Sequence, residues 1–576
     1  MKQQFDVSMR RRMNLILLFF GLLFAALIGR LFLLQIVSHR AYLDLAAKQH
    51  ATVEASTPER GSIFMRDKDG SPVPLAENRI YKTLVVSPKL VTDEEGAASF
   101  LADQFGFDTQ ALVKRFSNKN DEYEVIARKV EPDKADEIDR KKIPGVFFQE
   151  EKLRSYPHGV LGSQLVGFVS RQQDTEEGRY GLERYYEKQL AGAIDAAHTD
   201  DNAQHASDFL LAWGRKVIHP AQNGSDVYAT IDYNVQIKAE EMLEAVKDKW
   251  QASSGSVLVM EPKTGRILAL ANAPAFDPNA YSREKNFSVF LDAAVQSTYE
   301  LGSVMKPITM VAALQEHAVT PDTTYTDTGK VKFGRFTIQN FDEKAHGLQT
   351  MSQVIENSLN TGMIFVSRLL GKEKQLDYFK RFGFGQKTGI DLVGEVGGNI
   401  SKLDNRKDID FATASFGQGI SVTPIQLATA IAAIANHGTL MQPYVADRVV
   451  DDSGNSIVKN PVAVRQVVSK EAAETMTKMM IAAVRNGFEN RAGIKGYFVA
   501  GKTGTAQIPK SDGRGYSDNV IHTFVGYAPA FDPKFLVLLE LVNPRGNKFA
   551  ANTLTPAFHD LAQFLLNYYE IPPDEK

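Results

Sequence analysis

The chain is predicted to fold as an α/β (α+β) sandwich, carried behind a mixed α/β domain and an apolar N-terminal helix. Three patterns predict this. Apolar strand candidates lie near both ends of the segment 230–576 with helical periods between them, a loop-rich stretch of short strands and charged helices precedes that segment, and the N-terminus carries one unbroken apolar run.

The N-terminal run, residues 13–37, is apolar apart from Asn14, Arg30 and Gln35. As a helix it reaches roughly 35 Å, enough to cross a bilayer. Arg10, Arg11 and Arg12 stand before it, so the positive-inside rule keeps the tail 1–12 in the cytoplasm and sends everything after Val37 outside. A cleaved signal peptide is the competing reading. It fits less well, because the run exceeds the roughly 7–15 apolar residues of a signal core and no small-x-small site closes it. Arg30, near the outer end, can snorkel to the headgroups.

Segment 38–229 reads as a spacer or docking domain, with a strand at 82–87, a charged helix at 131–142, and a polar loop at 192–224 that lacks any sustained apolar period. From Thr230 the pattern becomes a helix (233–250) and an apolar hairpin (255–260 and 266–273, turning at 261–265). Helices recur at 423–436 and 469–486. Two further strands, 523–528 and 535–542, are split by a turn at Asp532 and Pro533, and a last helix opens with Thr555 as N-cap and Pro556 in its first position, running to Tyr568. Strands at both ends imply a sheet that joins the two ends of the domain.

Composition narrows the function classes. A chain of 576 residues is long enough for more than one core. Its net charge of −3 offers no basic field for nucleic acid, and the absence of cysteine removes thiol catalysis, thiolate metal sites and disulfides together. The 11 histidines form no close helical pair beside a carboxylate, so no metal is expected, and no other cofactor.

Chemistry enters through Ser-x-x-Lys, in which an amine one helical turn away can take the proton of a serine hydroxyl. The spacing occurs three times, at Ser282/Lys285, Ser303/Lys306 and Ser456/Lys459. Charged and turn-forming neighbours place the first and last in solvated loops. Ser303 follows Gly302 and opens an apolar helix (Val304, Met305, Ile308, Val311, Leu314), with Pro307 in its first turns. A lysine on a buried helix is desolvated and its pKa falls toward that of a general base.

Lys-Thr-Gly also appears three times, at Lys263, Lys387 and Lys502. Only Lys502-Thr503-Gly504-Thr505, after Tyr497-Phe498-Val499-Ala500, reads as a strand edge able to pair with a bound peptide. Residues 496–503 also fit the phosphate-loop pattern letter for letter. A phosphate loop needs a strand before its first glycine and a helix at its Lys-Thr, whereas here Gly504 and Pro509 follow. Ser-x-Asn, a proton relay beside a carbonyl-gripping amide, occurs at Ser358-Leu359-Asn360 and Ser453-Gly454-Asn455, with a literal Ser517-Asp518-Asn519, and spacing alone does not choose among them.

Taken in order, Ser303-x-x-Lys306, Ser358-x-Asn360 and Lys502-Thr503-Gly504-Thr505 resemble the three-motif signature of penicillin-binding proteins and serine β-lactamases. That order favours Ser358, since Ser517 follows the Lys-Thr-Gly; Leu359 stands where the family commonly has aspartate. Arg60-Gly61-Ser62-Ile63 with Arg66-Asp67 and Gly70, Tyr156-Pro157-His158-Gly159 with Gly167-Phe168-Val169, and Gly181-Leu182-Glu183 with Tyr186 look like the pedestal motifs of class B penicillin-binding proteins, with Phe64-Met65 as an insertion. Tyr299-Glu300-Leu301-Gly302, Asn360-Thr361-Gly362, Ser415-Phe416-Gly417-Gln418-Gly419 and Thr423-Pro424 with Gln426-Leu427-Ala428 look most like the division-type septal members, the elongation type being the nearer rival. A β-lactamase or β-lactam sensor of the same fold is more distant.

The resemblance implies a serine transpeptidase/β-lactamase-like sandwich at 230–576, a pedestal at 38–229, and a membrane anchor at 13–37 in the inner membrane. It implies a D,D-transpeptidase acting on peptidoglycan stem peptides and acylated by β-lactams. Ser303 would be the nucleophile, Lys306 its base and Ser358 a proton shuttle. Asn360 would hold the donor peptide, Lys502 and Thr503 its carboxylate, Gly504 would admit the backbone, and the N–H groups of Ser303 and Thr505 would form the oxyanion hole. A polytopic glycan polymerase and other division proteins are the implied partners.

Overall fold

The computed structural model describes residues 17–24, 27–30, 58–172, 175–192, 222–487, 490–510 and 515–575. The chain divides into two compact units, Met1–Glu59 with Gly192–Gly224, and Arg60–Ala191 with Ser225–Lys576. In the first, 17–24 and 27–30 are helical and exposed; the rest of the expected 13–37 span, and 193–221 of the expected polar loop, lie outside the described residues. Among the described residues no helix is long and apolar enough to cross a membrane.

The second unit is built on two sheets. Their strands, in chain order, are β1 (Ile63–Arg66), β2 (Pro72–Val86), β3 (Glu124–Val130), β4 (Val146–Ser155), β5 (Asp226–Asp232), β6 (Ser254–Met260), β7 (Ile267–Ala273), β8 (Ala446–Val450), β9 (Ser456–Val458), β10 (Ala500–Pro509), β11 (Tyr516–Ala528) and β12 (Phe535–Val542). A seven-stranded sheet runs β9-β8-β5-β1-β2-β3, with β4 also paired to β2, and a five-stranded antiparallel sheet runs β10-β11-β12-β6-β7. The C-terminal strands therefore lie beside the 254–273 hairpin, so this sheet joins the two ends of the segment. The residue pair 229/230 falls inside β5, which carries the chain from one sheet toward the other.

β12, Phe-Leu-Val-Leu-Leu-Glu-Leu-Val, is buried on both faces along almost its whole length, as a central strand requires. Helices α1 (Tyr233–Lys249), α2 (Lys306–Gln315), α3 (Asn360–Leu370), α4 (Pro424–Ala435), α5 (Lys470–Ala482) and α6 (Thr555–Tyr568) complete the layers. α1 and α6 pack on one face of the five-stranded sheet, and α4 covers the other. In α4 all twelve residues are buried; Thr423 caps it in a reciprocal capping box with Gln426, and Pro424 sits in its first turn. Thr555 does not cap α6. The short helix Ala550–Thr553 runs into it through Leu554 in a helical conformation, so the Thr555 hydroxyl donates back to the Ala551 carbonyl instead.

β1 makes a strand of the Phe64-Met65 insertion: Met65 is buried, and Phe64 stacks on Tyr228 of β5. Behind it Glu183, fully buried, accepts from Arg60 Nε at 2.8 Å and Arg154 Nε at 2.6 Å. Burial alone would raise this carboxyl, but Arg154 and Arg60 outweigh it and hold it below the usual range. Glu183→Ala strands the buried Arg154 guanidinium and leaves Arg60 with Glu187 alone, and is expected to cost about 3–5 kcal/mol in urea denaturation; a loss under 1 kcal/mol would show the cluster to be solvated.

Candidate active site

Ser303 sits where a tight helical turn, Gly302–Met305, runs into α2. Gly302 turns the chain with φ +63, a value that favours glycine. Tyr299 exchanges both backbone hydrogen bonds with Val422, at 3.0 Å each, which fixes the approach. From the other side β10 presses on the turn: a Cβ on Gly504 would lie 2.5 Å from the Leu301 carbonyl oxygen. Nothing larger than glycine fits.

One turn past Ser303, Lys306 is 0% exposed. Its Nζ donates to the Ser358 carbonyl at 2.5 Å and stands 3.1 Å from Ser358 Oγ. Lys502, also buried, reaches the same Oγ at 3.0 Å and the Thr503 carbonyl at 3.1 Å. Burial, and then the charge of Lys502, drive the Lys306 pKa well below the ordinary lysine range; burial lowers Lys502 to about 7. Two amines so placed do not both carry a proton cheaply, so the pair is poised to move one. Ser358 accommodates both by adopting φ +54, the left-handed region that a non-glycine residue rarely enters and that recurs at functional sites.

Ser303, Ser358, Asn360, Thr503 and Thr505 line one cavity of about 330 Å3, within the range of small-ligand clefts. Lys306, Lys502 and Gly504 lie behind this lining, with both amines reaching Ser358. Asn360 Nδ2 donates to the Gln339 carbonyl at 3.0 Å, and Thr505 Oγ1 accepts from Ala550 N at 3.2 Å. Next to Asn360, the buried Thr361 hydroxyl donates to Asp327 at 2.7 Å, and Asp327 in turn binds Asn340 Nδ2 at 2.8 Å. This pins the 358–360 loop to the 340–346 segment.

The cavity also has walls that motif reading missed: Phe341, His346, Gln507 and Phe549. Phe341 and Phe549, both half exposed, meet edge to face at 5.3 Å. They come from segments far apart in the chain with no motif around them, so no local signal marks them. Among the described residues no group of three His, Cys, Asp or Glu is placed to hold a metal ion.

The duplicate motifs fall elsewhere. Ser282 lies exposed in the short helix Pro278–Arg283, and Lys285 is exposed just past its end. Ser456 is exposed on β9, but Lys459 is not the solvated lysine expected: it pairs with buried Asp391 at 3.2 Å, because β9 lies along the sheet edge above that carboxylate. Lys263 pairs with Asp532 in the hairpin turn, and Ser453-Gly454-Asn455 wraps Asp451. Ser517 stands on β11, its hydroxyl donating to Ile508. Residues 500–509 continue as strand, with no helix at Lys502-Thr503, which excludes the phosphate loop.

Residues 255–563 match the family model described as the penicillin binding protein transpeptidase domain, and 55–229 that of the penicillin-binding protein dimerisation domain. The chain thus belongs to the penicillin-binding proteins and carries both domains of the class B members. It is 34% identical to stage V sporulation protein D of Bacillus subtilis, over 96% of this chain and 84% of the relative. It is 28% identical to the peptidoglycan D,D-transpeptidase FtsI of Escherichia coli K12, over 96% and 90%. Penicillin-binding protein 3 of Mycobacterium tuberculosis, solved with ampicillin, superposes with a TM-score of 0.70 at 26% identity, covering 90% of this chain and 97% of that one.

Gly504→Ala is expected to displace the Ser303 turn and cost about 1–3 kcal/mol of stability through overpacking. A crystal structure of the variant with the turn unmoved, and an unchanged melting curve, would contradict the close approach.

Proposed function

We propose that the protein is a peptidoglycan D,D-transpeptidase of cell division that works through a Ser303 acyl-enzyme. The observation that carries this reading is the meeting of two buried amines, Lys306 and Lys502, on Ser358 Oγ at the wall of the cavity that holds Ser303.

In this mechanism Ser303 Oγ attacks the penultimate D-Ala carbonyl of a donor stem peptide while Lys306, whose burial favours the free amine, takes the hydroxyl proton. The N–H groups of Ser303 and Thr505 receive the developing oxyanion, each contributing roughly 10²–10³ in rate. Ser358 passes the proton from Lys306 to the departing D-Ala amine as the C–N bond breaks, leaving an ester on Ser303. An amine of a neighbouring stem then attacks the ester, gives up its proton along the same path, and frees Ser303. Asn360 grips the donor peptide. Lys502 and Thr503 hold its terminal carboxylate, whose charge favours the protonated form of Lys502. A β-lactam enters as the donor does and stays on Ser303.

The anchor at 13–37, with 1–12 in the cytoplasm, and the pedestal at 38–229 hold the catalytic segment 230–576 on the outer side of the inner membrane, within reach of a membrane glycan polymerase. The Escherichia coli relative is named peptidoglycan D,D-transpeptidase FtsI, which supports the transpeptidase reading.

Incubating the full chain with labelled penicillin should give a stable adduct that Ser303→Ala lacks. An adduct that survives Ser303→Ala would move the nucleophile elsewhere, and rapid drug turnover would make the protein a β-lactamase. Lys306→Ala should slow acylation by about 10²–10⁴.

The pH dependence follows from burial. An ordinary lysine base would lose roughly a hundredfold in rate between pH 9 and pH 7. Because burial keeps Lys306 neutral to lower pH, stopped-flow acylation should show no such hundredfold loss between pH 9 and pH 7.

A further inference from the structure

One row of residues crosses every strand of the five-stranded sheet as a polar line. Gly504, Thr523, Glu540, Ser256 and Asn272 stand directly opposite one another in register, and Asn272 Nδ2 continues the line to Asp292 Oδ1 at 3.0 Å. The row faces the layer that carries the nucleophile. Gly504 abuts Leu301 and Val304, whereas Gly255, one residue out of step with it, faces Leu243 of α1 on the opposite side.

All these side chains are buried. Thr523 Oγ1, Glu540 Oε2, Ser256 Oγ, Asn272 Oδ1 and Asp292 Oδ2 have no hydrogen-bond partner among the described residues. Isolated buried polar atoms are uncommon, and five in one line point to a common cause.

The charges around Glu540 offer it no counterion. α4, which packs on β6, β11 and β12, has no ionisable side chain. Tyr299, four residues before Ser303, is near enough that Glu540 disfavours ionisation of its phenol, after burial itself. Asp292 at the end of the row is another acid, and Lys306 and Lys502 are both directed at Ser358. His522 and, on α6, His559 and Asp560 belong to the opposite face.

We propose that Glu540, held as the uncharged acid, is a positioning residue for acylation: through the polar row it ties the sheet to the segment 299–305 and so keeps Ser303 seated against the edge 502–505. A neutral carboxyl donates one hydrogen bond and accepts others, so with water in the row it can satisfy the hydroxyls of Thr523 and Ser256 on either side. Ionised, it becomes a buried anion without a partner. It then draws in water along the seam where Gly504 meets Leu301 and Val304. The proposal rests on the acylation chemistry given above.

Burial raises Glu540 from 4.5 to about 8. Between those values the folded protein keeps a proton that the unfolded chain has released. Wild type therefore loses stability as pH rises from about 4.5 to about 8, and no more beyond. Glu540→Gln, the same shape without the proton, escapes this.

The test uses the full chain in detergent, as wild type and Glu540→Gln. The melting-temperature advantage of the variant should widen from pH 5 to pH 8 and then level. The ratio of variant to wild-type acylation rate should hold steady up to pH 7 and reach about tenfold by pH 9, as the wild-type acid ionises. Acylation ratios within twofold throughout, with a constant melting gap, would overturn the proposal. A second readout compares infrared spectra of wild type and Glu540→Gln. A carboxylic-acid C=O band present in wild type and missing from the variant should vanish between pH 7 and pH 9.5, and the lack of any such difference band at pH 7 would also overturn the proposal. Labelling that persists in Ser303→Ala would instead sink the acylation reading, whereas Ser303-dependent labelling with a flat ratio sinks only the role of Glu540.

Discussion

A fully buried lysine amine governs the architecture of this active site. Residues Lys306 to Leu314 of α2 are all buried, so an amine at position 306 must find its partners inside the protein or lose its proton. It does both. The Ser358 carbonyl and hydroxyl come to it, Ser358 is held in a left-handed conformation to bring them, and Lys502 approaches from the sheet to share the same hydroxyl. The strain at Ser358 and the close contact of Gly504 with the Ser303 turn follow from that one requirement, because a loop and a strand must converge on a point inside the helix layer.

The layers around this point explain why it holds its shape. α4, apolar all round, fills the space beside the sheet, and its capping box and first-turn proline define where it begins. The five-stranded sheet unites segments more than 200 residues apart, with the Lys-Thr-Gly edge on the C-terminal hairpins and the 254–273 hairpin joined beyond β12. The same sheet carries the polar row with Glu540 at its centre. Catalytic edge and buried acid are thus neighbours two strands apart in one rigid element.

Much of this was legible in the sequence, and the reasons are local. α1, the 254–273 hairpin, α4 and β12 have periods or apolar runs that admit one reading, and their boundaries agree to within a residue or two. The right Ser-x-x-Lys was separable from its duplicates because only Ser303 opens a helix with no polar face. Ser358 was not separable by chemistry, since Ser453 and Ser517 have equal spacing; motif order selected it, and its left-handed backbone has no signature in the residues on either side. β11 begins seven residues earlier than its apolar part suggests, because 516–520 form a partly exposed end of the β10–β11 ladder where polar side chains are tolerated, and the buried His522 interrupts the apolar pattern. Phe341 and Phe549 were invisible, as was the row through Glu540. Each exists only through register or contact between segments distant in the chain.

The central claim, that burial lowers the Lys306 pKa and so favours the free amine, can be measured without substrate. Carbon-13 NMR of the lysine ε-carbons, with the Lys306 signal assigned by its loss in Lys306→Arg, reports the protonation of that amine directly. The structure predicts a Lys306 amine whose titration lies well below the ordinary lysine range. A signal that titrates near the usual value of about 10.4 would contradict the account.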